Sequence, residues 1–216
     1  MIKILKIPVW FVLKIMGLST LVSLKREGPL KDYGWFRSVK EEASVDAEGM
    51  PLPWLTYPAI EFLRNRLDPG MSVCEYGCGN GTLWWASKVK AVVSIEHDKE
   101  WYKKINAVKP GNVILFHCDL EYGGVYSRKI SEFENRFDIV VIDGRDRVNC
   151  AKNSLCALKP GGVIVWDNSD RPQYEGGYTY LREKGFRKIE FVGMGPGINT
   201  KNETAIFYRD NNILGI

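Results

Sequence analysis

A doubly wound α/β sheet of seven strands, mostly parallel with an antiparallel C-terminal strand, is the fold class that the sequence predicts. Three observations predict it. From Tyr57 onward, apolar β-rich runs alternate with helical stretches, as parallel strands covered on both faces require. A glycine-spaced turn, MSVCEYGCGNG at 71–81, joins the first of these strands to a helix. The last two β-rich runs are separated only by a loop containing Gly195-Pro196-Gly197, so they should pair antiparallel.

The elements follow in order. PAIEFLRNRL after Tyr57 has apolar residues at Ile60, Phe62, Leu63 and Leu67, which predicts a helix ended by Asp68-Pro69-Gly70. Strand one covers about 71–76, and TLWWASKV is the helix after it. There Trp84 and Trp85 are packing residues. AVVSIE is strand two, closing on Glu96, and DKEWYKKINAV is a helix for which Asp98 is the better cap. NVILFH is strand three, leading to Cys118-Asp119. A variable stretch with Gly123 and Gly124 precedes a helical KISEFENR. FDIVVID is strand four, ending at Asp143. RVNCAKNSLCAL is a helix stopped by Lys159-Pro160-Gly161-Gly162, and VIVWD is strand five, ending at Asp167. A helix near 176–184 precedes GFRKIEFVGM and ETAIFYR, the terminal pair.

Composition bounds the rest. The 216 residues suffice for one α/β domain with a sizeable core. The formal net charge of +4 is mild and does not mark a nucleic-acid binder. The five cysteines include no C-x-x-C pair, so neither a disulfide framework nor a zinc site is indicated, and a reducing, cytoplasmic setting is expected. Residues 28–56, with Gly28, Pro29, Gly34, Gly49, Pro51 and Pro53 among charges, read as a linker or lid outside the core. Within it Trp54, like the adjacent Tyr57, suits either a wall of the site or an anchor. Residues 1–27 are basic and apolar. Lys3, Lys6 and Lys14 fall on one side of a helical wheel, with Trp10, Phe11, Leu13 and Ile15 mostly elsewhere, and Pro8 limits regularity. That pattern suits a helix on an anionic membrane surface, on its own domain or on a second subunit, so peripheral membrane contact and oligomerisation are both compatible.

The loop at 71–81 has the spacing G-x-G-x-G, with Glu75 two positions before Gly77. Nicotinamide-binding folds usually carry G-x-G-x-x-G. The loop resembles motif I of the class I S-adenosylmethionine (SAM) methyltransferases, a Rossmann-like fold, and the order of elements over Leu52–Arg209 is similar to theirs. Ligands in such sheets sit outside the carboxyl ends of the strands. The resemblance implies a donor site formed by Glu75, Gly77, Cys78, Gly79, Asn80 and Gly81. Glu96 stands 19 residues after Gly77, where a carboxylate can accept two hydrogen bonds from ribose hydroxyls. His97 and Asp98 would line the adenosine site. Asp119 would face the adenine amino group, and Asp143 the methionine end.

Strands four and five end in Asp143 and in Asp167-Asn168, which adjacent parallel strands bring to one edge of the pocket. Oxygen ligands suit a hard ion such as Mg²⁺. The arrangement resembles the metal-dependent O-methyltransferases of the catechol and caffeoyl-CoA type, which implies a divalent ion on Asp143, Asp167 and Asn168, acidifying an acceptor hydroxyl. Asp167 to Pro172 is also good turn chemistry. The chain departs from the catechol pattern after strand four. Asp143-Gly144-Arg145-Asp146-Arg147 lacks the lysine base, and arginine stays protonated. Asp143 and Asp146 are therefore the catalytic candidates, with Asp170 an alternative base, while Arg145 or Arg171 would orient an anionic acceptor. No Asn/Asp-Pro-Pro-aromatic motif for a flipped base follows strand four, so a nucleic-acid acceptor is not expected. The reading is O-methylation of a small-molecule, sugar or lipid-linked acceptor, its pocket shaped by 28–57 and 120–130. The alternative is a non-catalytic methyltransferase-like module acting as a membrane or protein adaptor.

Overall fold

Strand β1 (Ser72–Tyr76) is buried over Val73, Cys74, Glu75 and Tyr76, and a strand hidden on both faces belongs at the middle of a sheet. In the computed structural model, which describes residues 11–216, it pairs in parallel with β2 (Ala91–Glu96) on one side and β4 (Phe137–Ile142) on the other. The expectations for Lys3, Lys6, Pro8 and Trp10 lie outside the described residues. β3 (Val113–His117) flanks β2 and β5 (Leu158–Asp167) flanks β4, both parallel. β7 (Asn202–Tyr208) inserts antiparallel between β5 and β6 (Arg187–Gly193), giving the order β3-β2-β1-β4-β5-β7-β6. The strand order reverses between β1 and β4, so a crevice opens at the carboxyl ends of those two strands.

Period-two alternation divides the core between the faces of the sheet. Along β4, Val140 and Ile142 join Tyr126, Trp166, Tyr178 and Phe207 on one face, while Ile139 and Val141 join Ile60, Leu63, Trp85 and Ile206 on the other. The second face is covered by helices numbered here in chain order after α1 (Ser19–Arg26), α2 (Pro29–Asp32) and α3 (Trp35–Glu41). They are α4 (Tyr57–Arg64), which supplies Ile60 and Leu63, and α5 (Asn80–Ala86), which supplies Trp84 and Trp85. The remaining helices are α6 (Lys99–Val108), α7 (Val125–Arg128), α8 (Arg147–Ser154) and α9 (Glu175–Glu183). Asp98 caps α6 as expected, accepting from the backbone N–H groups of Glu100 and Trp101 at 2.9 Å.

Three expectations are corrected. KISEFENR is not a helix: α7 runs into a 3₁₀ turn at Lys129–Glu132. β5 begins at Leu158 rather than Val163, because the Lys159–Gly162 turn is absorbed as an irregularity between the pairs Phe137↔Leu158 and Ile139↔Val163. The segment 28–56 is not outside the core, since Val45, Leu52, Leu55 and Thr56 are buried. Long-range bonds hold it there: Trp35 Nε1 donates to the Ile198 carbonyl at 2.9 Å, and the Thr56 N–H to Thr204 Oγ1 at 3.0 Å. Proline and glycine mark turns but do not report what the residues between them bury.

Candidate active site

The crevice is a cleft of about 590 Å³, within the roughly 300–1,000 Å³ typical of small-molecule sites. Its floor is the turn between β1 and α5. Gly77 has φ +93°, which favours glycine, and its N–H donates to the Ile95 carbonyl at 2.8 Å. A Cβ on Gly79 would meet open space, so a ligand can approach the main chain there. Glu96, buried at the end of β2, organises this turn. Its Oε2 accepts from the Cys78 N–H, and its Oε1 from the N–H groups of His97 and Asp98, each at 2.7 Å. A carboxylate offers about four acceptor sites, so the expected two-bond grip on a ribose is reduced to one remaining lone pair on Oε2. Burial pushes the Cys78 thiol far up, so this sulfur stays protonated and is not a nucleophile. Asn80 turns its amide outward from the loop, Nδ2 donating to the Ser44 carbonyl at 2.7 Å.

Glu75 lies beneath the turn. Its Oε1 accepts from Ser94 Oγ at 2.6 Å. Burial pushes its carboxyl up to about 7, against the bonds from Ser94 and Thr82 and with the charge of Glu96 adding to the rise. Between the ordinary value of 4.5 and about 7 the native state keeps a proton that the unfolded chain has lost, so stability falls as pH rises through this window, by roughly 3 kcal/mol in all. Glu75→Gln is expected to give a shallower decline in melting temperature from about pH 4 to about pH 8, and to melt above the wild type at the upper end. Parallel melting curves for the two proteins across that range would refute this.

The other end of the cleft is built on Arg147, the first residue of α8. It is buried, with 7 % of its surface exposed. Its Nε donates to the Gly144 carbonyl at 3.0 Å, its Nη2 to the Asp143 carbonyl at 2.8 Å and to Asp143 Oδ1 at 3.1 Å, and its Nη1 to the Asp167 carbonyl. The guanidinium thus joins the ends of β4 and β5. Asp167 is also buried, and its Oδ1 accepts from Thr204 Oγ1 at 2.7 Å. Burial raises both carboxyls. For Asp143 the charge of Asp167 raises it further while Arg147 opposes the rise, and for Asp167 the Thr204 bond and Arg147 oppose it.

The metal expectation gains no support from this geometry. Arg147 Nη2 already holds Asp143 Oδ1 at 3.1 Å, and Asn168, at φ +52°, bonds its amide to Asn202 Oδ1 at 3.1 Å. Among the described residues no cluster of three or more His, Cys, Asp or Glu side chains suits a metal. Asp143, Asp167 and Asn168 all line the cleft, but as partners of an internal arginine and of neighbouring side chains.

Asp146 is corrected as a catalytic candidate. Its backbone is left-handed, φ +47°, which turns the side chain away from the cleft. Its Oδ2 accepts from the Gly123 N–H and its Oδ1 from Asn149 Nδ2, both at 2.7 Å, so it ties a surface loop to α8. Asp119 is corrected as an adenine contact: it is exposed beyond the end of β3 and does not line the cleft. Asp170 and residues 120–130 do not line it either. Glu75, Gly77, Cys78, Gly79, Asn80, Gly81, Glu96, His97, Asp98 and Asp143 do, as do Arg145 and Arg171. Trp54 is a wall of the cleft, whereas Tyr57 is an anchor stacked on Tyr33 at 4.5 Å.

Sequence reasoning passed over three residues. Trp101 lines the cleft on the Glu96 side, 42 % exposed, with Lys104 Nζ 4.4 Å from its ring centre. A large aromatic on the otherwise polar first turn of α6 was the available signal. Gly144 must be glycine, because a Cβ there would stand 2.0 Å from Tyr126 Oη and 3.0 Å from the Gly77 nitrogen. Arg147 carried no signal, since nothing local says that an arginine at a helix start will be buried.

No protein-family model matches the chain, and no curated protein does. Solved structures do. A precorrin-6y C5,15-methyltransferase from Geobacter metallireducens GS-15 superposes with a TM-score of 0.59 at 12 % identity, covering 80 % of this chain and 96 % of that one. A precorrin 8w decarboxylase from Methanobacterium thermoautotrophicum gives 0.55 at 19 % identity, over 78 % and 97 %. A spermidine synthase from Thermotoga maritima gives 0.52 at 13 % identity, over 68 % and 56 %. The chain spans just over half the length of the spermidine synthases that it matches. The fold is therefore that of the class I methyltransferases. At such identities the likeness speaks for the fold, and the chemistry must be argued from the cleft.

Proposed function

We propose that the chain is a SAM-dependent methyltransferase that acts, without a divalent ion, on an oxygen acceptor carrying an anionic group. One observation carries the reading: a single cleft runs from the Glu75–Gly81 turn, with Glu96 and Trp101 beside it, to the Asp143–Arg147–Asp167 cluster. The donor end fits an adenosyl group. The Gly79 main chain borders open space, Glu96 keeps an acceptor site free, and Trp101 offers an aromatic face. SAM, when bound, supplies an activated methyl group, which leaves alignment and proton removal to the protein. Asp143 is the base in this reading: its carboxyl faces the cleft with a raised proton affinity. Arg147 holds that carboxyl in place. Arg145 and Arg171 form no ion pair among the described residues and face the same cleft, which favours a phosphate or carboxylate on the acceptor.

The same arginines argue against a polycationic acceptor, although a spermidine synthase bound to the analogue AdoDATO shares the fold. Titration calorimetry with SAM and S-adenosylhomocysteine tests the donor site. Saturable binding of both is expected, and no heat from either at millimolar concentration ends the proposal. Incubation with labelled SAM and fractionated cell extract then separates an enzyme from a non-catalytic module, which would bind the donor and transfer nothing.

A further inference from the structure

Residues 11–28 contribute no buried side chain to the core that the rest of the described chain forms. Residues 11–15 are helical, Gly17 at φ +70° breaks the helix, and α1 follows with no buried side chain. Phe11, Ile15, Met16 and Leu21 are 63, 71, 63 and 61 % exposed, and Val12 and Leu18 are exposed beside them. So many large apolar side chains in one short stretch mark an interaction surface rather than scattered surface residues. As far as Arg26 the charges have one sign. Every charged residue before Glu27 is basic: Lys3, Lys6, Lys14, Lys25 and Arg26. Among the described residues Lys14, Lys25 and Arg26 take part in no ion pair, and Lys25 shares a groove of about 500 Å³ with Lys31 and Arg37, beside Asp32 and Glu48.

We propose that residues 11–31 dock this protein on the surface of an anionic lipid bilayer, the apolar side chains at the acyl boundary and the cations among the headgroups. Charge complementarity selects this occupant. A second copy of the chain would cover the apolar side chains too, but would set two sets of lysines against each other, with fewer acids than cations in the segment to offset them. Insertion is interfacial: among the described residues no helix is long and apolar enough to cross a membrane. The docking segment leads through α3 to Ser44, whose carbonyl is held by Asn80 of the glycine turn, so the bilayer contact is coupled by a short path to the lip of the cleft. A membrane-borne acceptor suits such a path.

The test is flotation of the full-length protein with vesicles of phosphatidylcholine alone, or with about 30 % phosphatidylglycerol, at about 0.1 M and about 0.5 M salt. Capture by the anionic vesicles at low salt is expected, weakened at high salt and lost in the double variant Ile15→Asp/Met16→Asp. Lys14→Gln/Lys25→Gln should weaken partitioning by about fivefold per cation removed. These positions are exposed, so melting temperature and S-adenosylhomocysteine affinity should match the wild type. That readout separates failure of docking from failure of the donor site. Capture that ignores lipid charge or survives Ile15→Asp/Met16→Asp overturns the proposal, as does no capture at all. A stable dimer in light scattering that this double variant disperses would assign the face to a second copy instead.

Discussion

Asp143→Asn should slow methyl transfer by about 10²–10⁴-fold while leaving affinity for S-adenosylhomocysteine within a few fold, the effect of removing a base without removing a binding contact. The substitution conserves shape. The asparagine carbonyl can still accept from Arg147, so the ends of β4 and β5 stay joined. What is lost is the capacity to take a proton. The choice of Asp143 over Asp167 rests on their partners, since Asp167 already engages Thr204 through Oδ1 and is the more buried of the two. The two carboxyls titrate as a pair, and burial places the pair above the ordinary carboxylate range. Turnover in the wild type should therefore fall as pH drops through that raised range, and the acidic limb should be missing from whatever activity Asp143→Asn retains. Excess chelator should leave the wild-type rate intact. An Asp143→Asn rate within threefold of wild type would remove the base from the mechanism.

Arg147→Met has the largest expected effect on stability. It strips donors from three carbonyls and leaves Asp143 without its counter-charge. Breaking a buried pair by deleting one member costs about 3–5 kcal/mol, and the low end applies because the Asp143 side chain keeps 33 % of its surface exposed. A loss of about 3 kcal/mol lowers the melting temperature of a domain this size by roughly 6–12 °C. The loss should grow with pH, because at low pH Asp143 is protonated and needs no counter-charge. Arg147 also opposes the rise in the proton affinity of Asp143, so the variant's residual activity should shift its acidic limb toward higher pH. Arg147→Lys should not restore stability: one ammonium cannot present the fork that reaches Asp143 and Asp167 together. Calorimetric melting of the three proteins at two pH values decides this, and a drop of under about 2 °C for Arg147→Met would show that the cluster is not a structural tie.

The parts of the molecule that were legible in the sequence are those whose cause is local. The near-continuous apolar runs AVVSIE and FDIVVI, the glycine spacing after Glu75 and the cap at Asp98 each depend on neighbours in the chain, and each led to the right element. Glu96 was found by its distance from Gly77, but its role shifted, because what a carboxylate bonds depends on which N–H groups the turn aims at it. The segment 28–56 was misread because its glycines and prolines are visible and the contacts of Trp35 with Ile198 and of Thr56 with Thr204 are not.

By itself the chain determined the doubly wound sheet and the position of a glycine turn after β1, since periodicity and glycine act over a few residues. Only the tertiary structure decided the arrangement of side chains at the far end of the cleft. Asp143 and Asp167 lie on separate strands, and whether they face a metal or an arginine depends on a helix start folding back between them. Asp146, three residues from Asp143, is turned away by a left-handed backbone held by a bond to Gly123. Contacts of this kind are set by distance in space, which spacing along the chain does not encode.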